Sequence, residues 1–300
     1  MAKNGKSGKS SKKGKKAQPN PVDLAEARRL EVTAGFKLAE VDPDSTPGLS
    51  DRSVGEELFV ARDAELAELQ ERMYAQARAD VPNAPSVLVI LQGMDASGKG
   101  GIVRHVFGSV DPQGLQIASF KRPTEEELAH DFLWRIRKQV PKPGFIGIFD
   151  RSHYEDVLVQ RVRGMAPPEE IERRYDAIID FERELVESGT RVVKIMLHVG
   201  RDEQAKRLLE RIDRPDKHWK YNEGDIDERE LWDEYAEAYQ IALERTSTPE
   251  APWWCIPANK KWYARLIVKA ILLETLRGMD LEWPEASFDP EVERARLAAS

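Results

Sequence analysis

Residues 93–101 read Gly-Met-Asp-Ala-Ser-Gly-Lys-Gly-Gly, and residue types at that spacing suit the holding of phosphate. Gly93, Gly98 and Gly100 let backbone N–H groups turn inward as an anion nest. Lys99 supplies a mobile full charge, and the N-terminus of the helix it opens adds partial positive charge. Gly-x4-Gly-Lys between an apolar strand and a helix is the P-loop pattern, with a chance glycine-rich turn as the competing reading. Two departures matter. Gly100 stands where a Ser or Thr hydroxyl would normally meet Mg²⁺, and Asp95 puts a carboxylate inside a nest meant for anions. Both are accommodated if Asp95 helps hold Mg²⁺, which prefers carboxylate, water and phosphate oxygens. Asp95 as a plain turn residue is the alternative.

A second carboxylate ends the apolar run Phe145-Ile-Gly-Ile-Phe, as Asp150-Arg151-Ser152. Downstream of a P-loop, an apolar strand closing on Asp is the Walker-B arrangement, so Asp95 and Asp150 are the expected metal pair. Arg151 is positioned to clamp a transferring phosphoryl group, against the alternative of an ordinary surface arginine. Ser152 and Glu155 read as a helix capping box. Arg207, Arg211 and Arg214 fall on one face of a helix, which by itself is the pattern of a solvated surface. They lead into Arg-Pro-Asp-Lys-His-Trp-Lys-Tyr, where Lys217 and Lys220 suit a segment that closes over phosphates, so Arg207 and Arg214 are expected to bind phosphate with them. Lys121 and Arg122 follow one strand, and Lys260 and Lys261 another, so bases from separate segments are expected on one rim. The five histidines show no paired metal-ligand spacing.

These residues need a scaffold that brings strand ends together. Continuous apolar strands are expected at 86–92, 115–120, 145–149, 191–199 and 253–256, separated by helices near 56–79, 99 onward, 124–140, 152 onward, 168–188, 201–213, 227–245 and 260–277. Strands alternating with helices predict an α/β fold: a doubly wound parallel five-stranded sheet with helices on both faces. Runs apolar throughout, rather than alternating, fit burial on both faces. The expected layout is a Lys-rich tail at 1–20, an N-terminal extension at 21–55, a P-loop domain at 56–280 with a lid around 201–226, and an extension at 281–300.

Composition narrows the partners. The 300 residues carry 46 Lys and Arg against 53 Asp and Glu, for a net charge of −7. Seven lysines and no acid lie in residues 1–20, so the remainder sets 39 bases against 53 acids, a net of −14. So acidic a body argues against a diffuse nucleic-acid surface and for a local basic pocket. The single cysteine, Cys255, excludes an internal disulfide and fits a reducing compartment. No apolar run is long enough for a bilayer, and the start has no apolar core of a secretory signal, so a cytoplasmic location is expected.

Taken together, Gly93–Gly101, Ser119-Phe-Lys-Arg-Pro-Thr, Glu127-Leu-Ala-His-Asp-Phe-Leu-Trp-Arg135, Phe149-Asp-Arg-Ser-His-Tyr-Glu-Asp156 and Asp216-Lys-His-Trp-Lys-Tyr221 resemble the polyphosphate kinase 2 family, over about residues 56–278. The resemblance implies a P-loop kinase-like fold with a lid, and Mg²⁺-dependent phosphoryl transfer between inorganic polyphosphate and a nucleotide. It implies Asp95, Lys99, Asp150, Arg151 and Arg211 as the functional set, with Lys121, Arg122, Lys260 and Lys261 lining a basic phosphate channel. The motifs look closer to members acting on AMP, or on AMP and ADP. Adenine nucleotides are expected, with guanine as the alternative base, and so is a homo-oligomer. An ATP-dependent nucleoside or nucleotide kinase on the same fold is the second reading, and a non-enzymatic polyanion binder the third.

Overall fold

The computed structural model describes residues 28–300. The Lys-rich tail and the first part of the expected N-terminal extension lie outside the described residues. In chain order the main elements are α1 (Arg52–Ala61), α2 (Asp63–Arg78), β1 (Ser86–Gln92), α3 (Lys99–Val106), β2 (Leu115–Ser119), α4 (Glu125–Leu128), α5 (Trp134–Arg137), β3 (Ile146–Asp150), α6 (Val159–Val162), α7 (Pro168–Glu187), β4 (Thr190–His198), α8 (Arg201–Asp213), α9 (Gly224–Glu230), α10 (Trp232–Thr246), β5 (Trp253–Pro257), α11 (Lys261–Arg277) and α12 (Pro290–Ala298).

The five strands form one wholly parallel sheet in the order β2-β3-β1-β4-β5. Every residue of β1 is buried, as its unbroken apolar run requires of a central strand covered on both faces. One face carries Val87, Val89, Leu91, Ile148 and Ile195 against α1, α2, α3 and α11. The other carries Leu88, Ile90, Phe149 and Met196 against α7 and α10. Asp150 lies level with Leu91 and with Ser119, and Gln92 with Met196, so the strand ends before the phosphate loop and the Asp-Arg turn share one edge. The connections after β1 and β3 leave for opposite sides of β1, which opens a crevice at that edge. The far edge at β5 is covered by an antiparallel contact between Glu31 and Trp254, with Val32 N–H donating to the Trp253 carbonyl at 2.8 Å.

Four helices differ from their sequence expectation. The helix expected over 56–79 is two, parted at Arg62. Lys269, buried on α11, donates to the Phe59 carbonyl (3.1 Å) and to the Asp63 carboxylate. Arg62 donates to the Leu58 carbonyl at 2.9 Å. Side chains thus accept the work that a continuous helix would give to backbone N–H groups. The helix expected over 124–140 is the short pair α4 and α5. The Thr124–Glu127 capping box forms as expected, but Asp131 accepts from the Leu133 N–H at 3.0 Å, a local turn that competes with the helix. The helix expected over 227–245 breaks at Leu231 into α9 and α10. The helix expected to open at Ser152 is a 3-10 turn at His153–Asp156. The C-terminal stretch starts anchored, with Arg72 bonded to the carbonyl of buried Leu281, and ends in the exposed α12.

The Lys269–Asp63 pair yields an asymmetric expectation. Asp63 is partly exposed and can rehydrate, whereas the Lys269 ammonium is fully buried. Asp63→Ala should therefore cost about 3 kcal/mol by leaving a buried charge unpaired. Lys269→Met should cost less, about 1 kcal/mol. Urea denaturation of both variants measures this, and the reverse order would contradict it.

Candidate active site

The phosphate loop is shaped by close backbone approach. Gly93 has φ +144°, and a Cβ there would lie 2.6 Å from the Leu197 carbonyl oxygen. Gly98, with φ +116°, caps α3 in the left-handed region that glycine tolerates. Gly100 meets no crowding, so its lack of a side chain leaves open space on the first turn of α3. Neighbouring side chains occupy the loop carbonyls. Gln204 donates to Asp95 O (3.0 Å), Arg207 to Ala96 O (3.0 Å) and Ser97 O (2.8 Å), and Lys99 Nζ to Gly93 O (2.6 Å) and Met94 O (3.3 Å). Gly93 N–H donates to Tyr239 Oη on α10 at 3.1 Å. The N–H groups of Asp95, Ala96 and Gly98 make no protein hydrogen bond among the described residues, so the loop offers donors rather than acceptors. Burial holds the Lys99 ammonium below the usual lysine range, although Asp95 opposes the shift.

Asp150 ends β3 beside this loop, and its carboxylate makes no hydrogen bond or ion pair among the described residues. Arg151 follows with φ +64°, unusual for a residue with a side chain. Its Nη2 donates to Asp95 Oδ1 at 2.8 Å, and its Nη1 lies 3.7 Å from Glu155 Oε2. Burial works against this guanidinium, but Glu155 and Asp95 outweigh it and hold its proton more firmly than usual. The capping-box reading of Ser152 and Glu155 fails. Ser152 Oγ accepts from Tyr154 N–H at 3.2 Å, while Glu155 turns into the site, its carboxyl pushed up by burial against the pull of Arg151 and Lys99. Tight 3-10 winding at His153–Asp156 removes the geometry a box needs. The sequence reading also missed Asp225. It is buried, and burial together with Asp95 raises its carboxyl despite Arg211. Four carboxylates, Asp95, Asp150, Glu155 and Asp225, therefore surround Lys99 and Arg151.

The expected basic residues divide. Arg207 was expected to bind phosphate, but it is buried with every donor engaged. Besides the two loop carbonyls, it donates to Ala258 O (2.5 Å), Asn259 O (2.9 Å) and Glu203 (2.8 Å). It clamps α8 to the phosphate loop and to the end of β5 and has no donor left for a ligand. Arg211 pairs with Asp225 at 2.8 Å and with the Lys220 carbonyl at 3.3 Å. Arg214 pairs with Asp216 and Glu210, Lys217 with Glu210, and Lys220 stacks on Trp219. The segment after α8 thus satisfies its charges internally. Lys260 donates to the Asp44 carbonyl at 2.6 Å. The side chains of Lys121, Arg122 and Lys261 make no hydrogen bond or ion pair among the described residues. Neither do Arg104 on α3 and Arg265 on α11, which the sequence reading did not single out. Arg265 lies against Gly101 in the first turn of α3, and burial, Arg104 and Arg207 hold its guanidinium below the usual range. Like charges left unpaired side by side mark a surface that awaits an anion.

Arg207→Met should strip partners from four carbonyls, and unfolding free energy should fall by about 3 kcal/mol or more. Calorimetry or urea titration checks this. An unchanged stability, with only the affinity for an anionic substrate altered, would restore the phosphate-binding role.

Comparison with known proteins agrees with this geometry. The family model described as Polyphosphate kinase 2 matches residues 49–284. An AMP/ADP-polyphosphate phosphotransferase of Meiothermus ruber is 46% identical over 258 residues, covering 86% of this chain and 94% of that protein. An ADP-polyphosphate phosphotransferase of Rhodopseudomonas palustris is 42% identical, covering 77% and 82%. The crystal structure of polyphosphate kinase 2 from Arthrobacter aurescens TC1 superposes with a TM-score of 0.88 at 55% identity, over 92% of this chain and 97% of that one. With its parallel sheet and these relatives, the chain belongs to the polyphosphate kinase 2 family.

Proposed function

We propose that this chain transfers phosphoryl groups between inorganic polyphosphate and AMP or ADP, with Mg²⁺. The observation that carries the reading is the set of unpaired basic side chains Lys261, Arg265 and Arg104, with Lys121 and Arg122 after β2, beside a phosphate loop in which the Asp95, Ala96 and Gly98 N–H groups meet no protein acceptor among the described residues. A nucleotide tail needs a few cationic contacts, whereas a long polyanion rewards a continuing series.

The donor set fits Mg²⁺. Among the described residues no group of three His, Cys, Asp or Glu side chains forms a cage. Mg²⁺ needs none, since it binds through one or two carboxylates and takes phosphate and water oxygens for the rest. Asp150, free of protein partners, and Asp95 at the loop would hold it. When bound, the ion neutralises phosphate charge and offsets the repulsion of the four carboxylates.

In the forward direction, a terminal phosphate oxygen of the nucleotide attacks the terminal phosphorus of polyphosphate in line. The new P–O bond forms as the bridging P–O bond breaks, and the electron pair leaves on a chain one phosphate shorter. The attacking oxygen is already anionic, so no general base is required and positioning with charge neutralisation carries the catalysis. Lys99 and the loop N–H groups hold the phosphoryl chain, Arg151 contacts the transferring group, and Asp95 and Glu155 aim Arg151. Arg211 reaches the phosphates only after leaving Asp225, which makes that ion pair the closure step of the 201–226 segment.

The direct test supplies Mg²⁺ and polyphosphate with AMP or ADP separately and follows ATP. Product with at least one nucleotide is expected. No product with either, alongside turnover of ATP with a nucleoside, would transfer the chain to the second reading. Asp150→Asn should lower transfer at least about a hundredfold with the circular dichroism unchanged. Near-normal turnover would remove Asp150 from the mechanism.

A further inference from the structure

On the sheet face packed by α7 and α10, one residue below the level of Asp150, lies a buried charged network that the reaction does not touch. Lys194 occupies the middle of β4, level with Ile90 and Trp253, and its side chain has no solvent exposure. Its Nζ donates to Glu182 Oε2 (2.6 Å) and to the Thr246 carbonyl at the end of α10 (2.6 Å). The other carboxylate oxygen of Glu182 accepts from Tyr154 Oη at 2.8 Å and faces His153 Nε2 at 3.3 Å. Tyr154 Oη also reaches Thr246 Oγ1 (2.9 Å), which in turn accepts from Trp253 Nε1 (2.8 Å). Burial lowers the His153 pKa, although the Glu182 carboxylate opposes the shift.

The cost of such a network directs attention to its purpose. A buried ion pair is a poor route to stability, because apolar side chains of similar volume usually do as well or better. Glu182 holds two consecutive residues, His153 and Tyr154, and these lie only two and three positions after Arg151. Arg151 itself sits at φ +64°, a conformation that persists only where its surroundings over-determine it. On its upstream side the Arg151 N–H donates to the Leu91 carbonyl at 3.2 Å. On its downstream side Ser152 Oγ accepts from Gln92 Nε2 (3.1 Å) and Tyr154 N–H (3.2 Å), and Glu182 pins the rest of the turn.

We propose that the Lys194–Glu182 pair, acting through Tyr154 and His153, is a positioning device that keeps Arg151 in its left-handed conformation, with its guanidinium against Asp95. The proposal rests on the phosphotransferase reading. Arg151 acts on the transferring group rather than on polyphosphate as a whole, so loosening the turn should lower kcat and leave KM for polyphosphate nearly unchanged.

The test removes both charges together, as Glu182→Leu with Lys194→Met, and assays the full-length protein beside wild type. The expected variant keeps a melting temperature close to wild type, loses about tenfold or more in kcat, and changes KM for polyphosphate by less than about threefold. A network that only stabilises the fold would recover activity with stability, and a folded double variant with wild-type kcat overturns the proposal. Tyr154→Phe keeps the ring and removes only the hydroxyl. It should show the same split in milder form, about threefold in kcat, and it decides the matter if the double variant does not fold. A wild-type kcat in Tyr154→Phe, or a KM effect equal to the kcat effect, also overturns the proposal. Wild type inactive with polyphosphate and both nucleotides is a different result, because it refutes the functional reading itself.

Discussion

Arg151 shared between Asp95 and Glu155, at the point where β3 ends beside the phosphate loop, governs the rest of the site. A guanidinium on a left-handed residue stays in place only if charge on one side and backbone on the other both hold it. The same carboxylates that hold it repel any phosphate that approaches. At about 4 Å and an intermediate dielectric, each bare carboxylate would oppose an anion by about 4 kcal/mol. Asp95 and Glu155 are paired with Arg151 and Asp225 with Arg211, so Asp150 is the unpartnered carboxylate whose charge a divalent cation would offset, and the donor set permits one. The acidic loop and the basic surface beyond it belong to one electrostatic arrangement.

The fold provides what this arrangement needs. A parallel sheet brings the end of β1 and the end of β3 level at one edge, which a local turn cannot do for Leu91 and Asp150, 59 positions apart in sequence. Side chains of α8 and α10 then close the loop from behind. Gln204 and Arg207 take its carbonyls, Tyr239 takes the Gly93 N–H, and Arg229 on α9 links to Gln204 at 2.9 Å. Residues of α8 are in this way tied to the phosphate loop. In the proposed reaction the Arg211–Asp225 pair exchanges a carboxylate for a phosphate, a trade between similar charge-assisted bonds.

Most of this architecture could be read without coordinates where the cause is local. Gly93 and Gly98 announce themselves because only glycine tolerates their backbone, and β1 because a strand buried on both faces is apolar along its run. The errors arose where one string has two structural meanings. Ser152-x-x-Glu155 is the pattern of a capping box, yet the chain winds tightly there and sends Glu155 into the site. The arginine stripe of α8 looks alike whether it faces water, phosphate or backbone. Arg207 faces carbonyls from the phosphate loop and from residues 258–259, partners that only tertiary packing supplies. Arg104 and Arg265 went unnoticed because their significance lies in lacking partners. Asp225 could have been suspected from its place just after the basic segment, as an acid set among bases.

The central claim is that phosphate enters this carboxylate-rich loop only with a divalent cation. Titration calorimetry of tripolyphosphate into the full-length protein, with excess Mg²⁺ and then with a chelator, measures it without any turnover. The account predicts affinity at least about tenfold tighter with Mg²⁺, a difference of about 1.4 kcal/mol or more. Equal affinity in the two conditions would contradict it, since Lys99, Arg151 and the basic series would then suffice against four carboxylates.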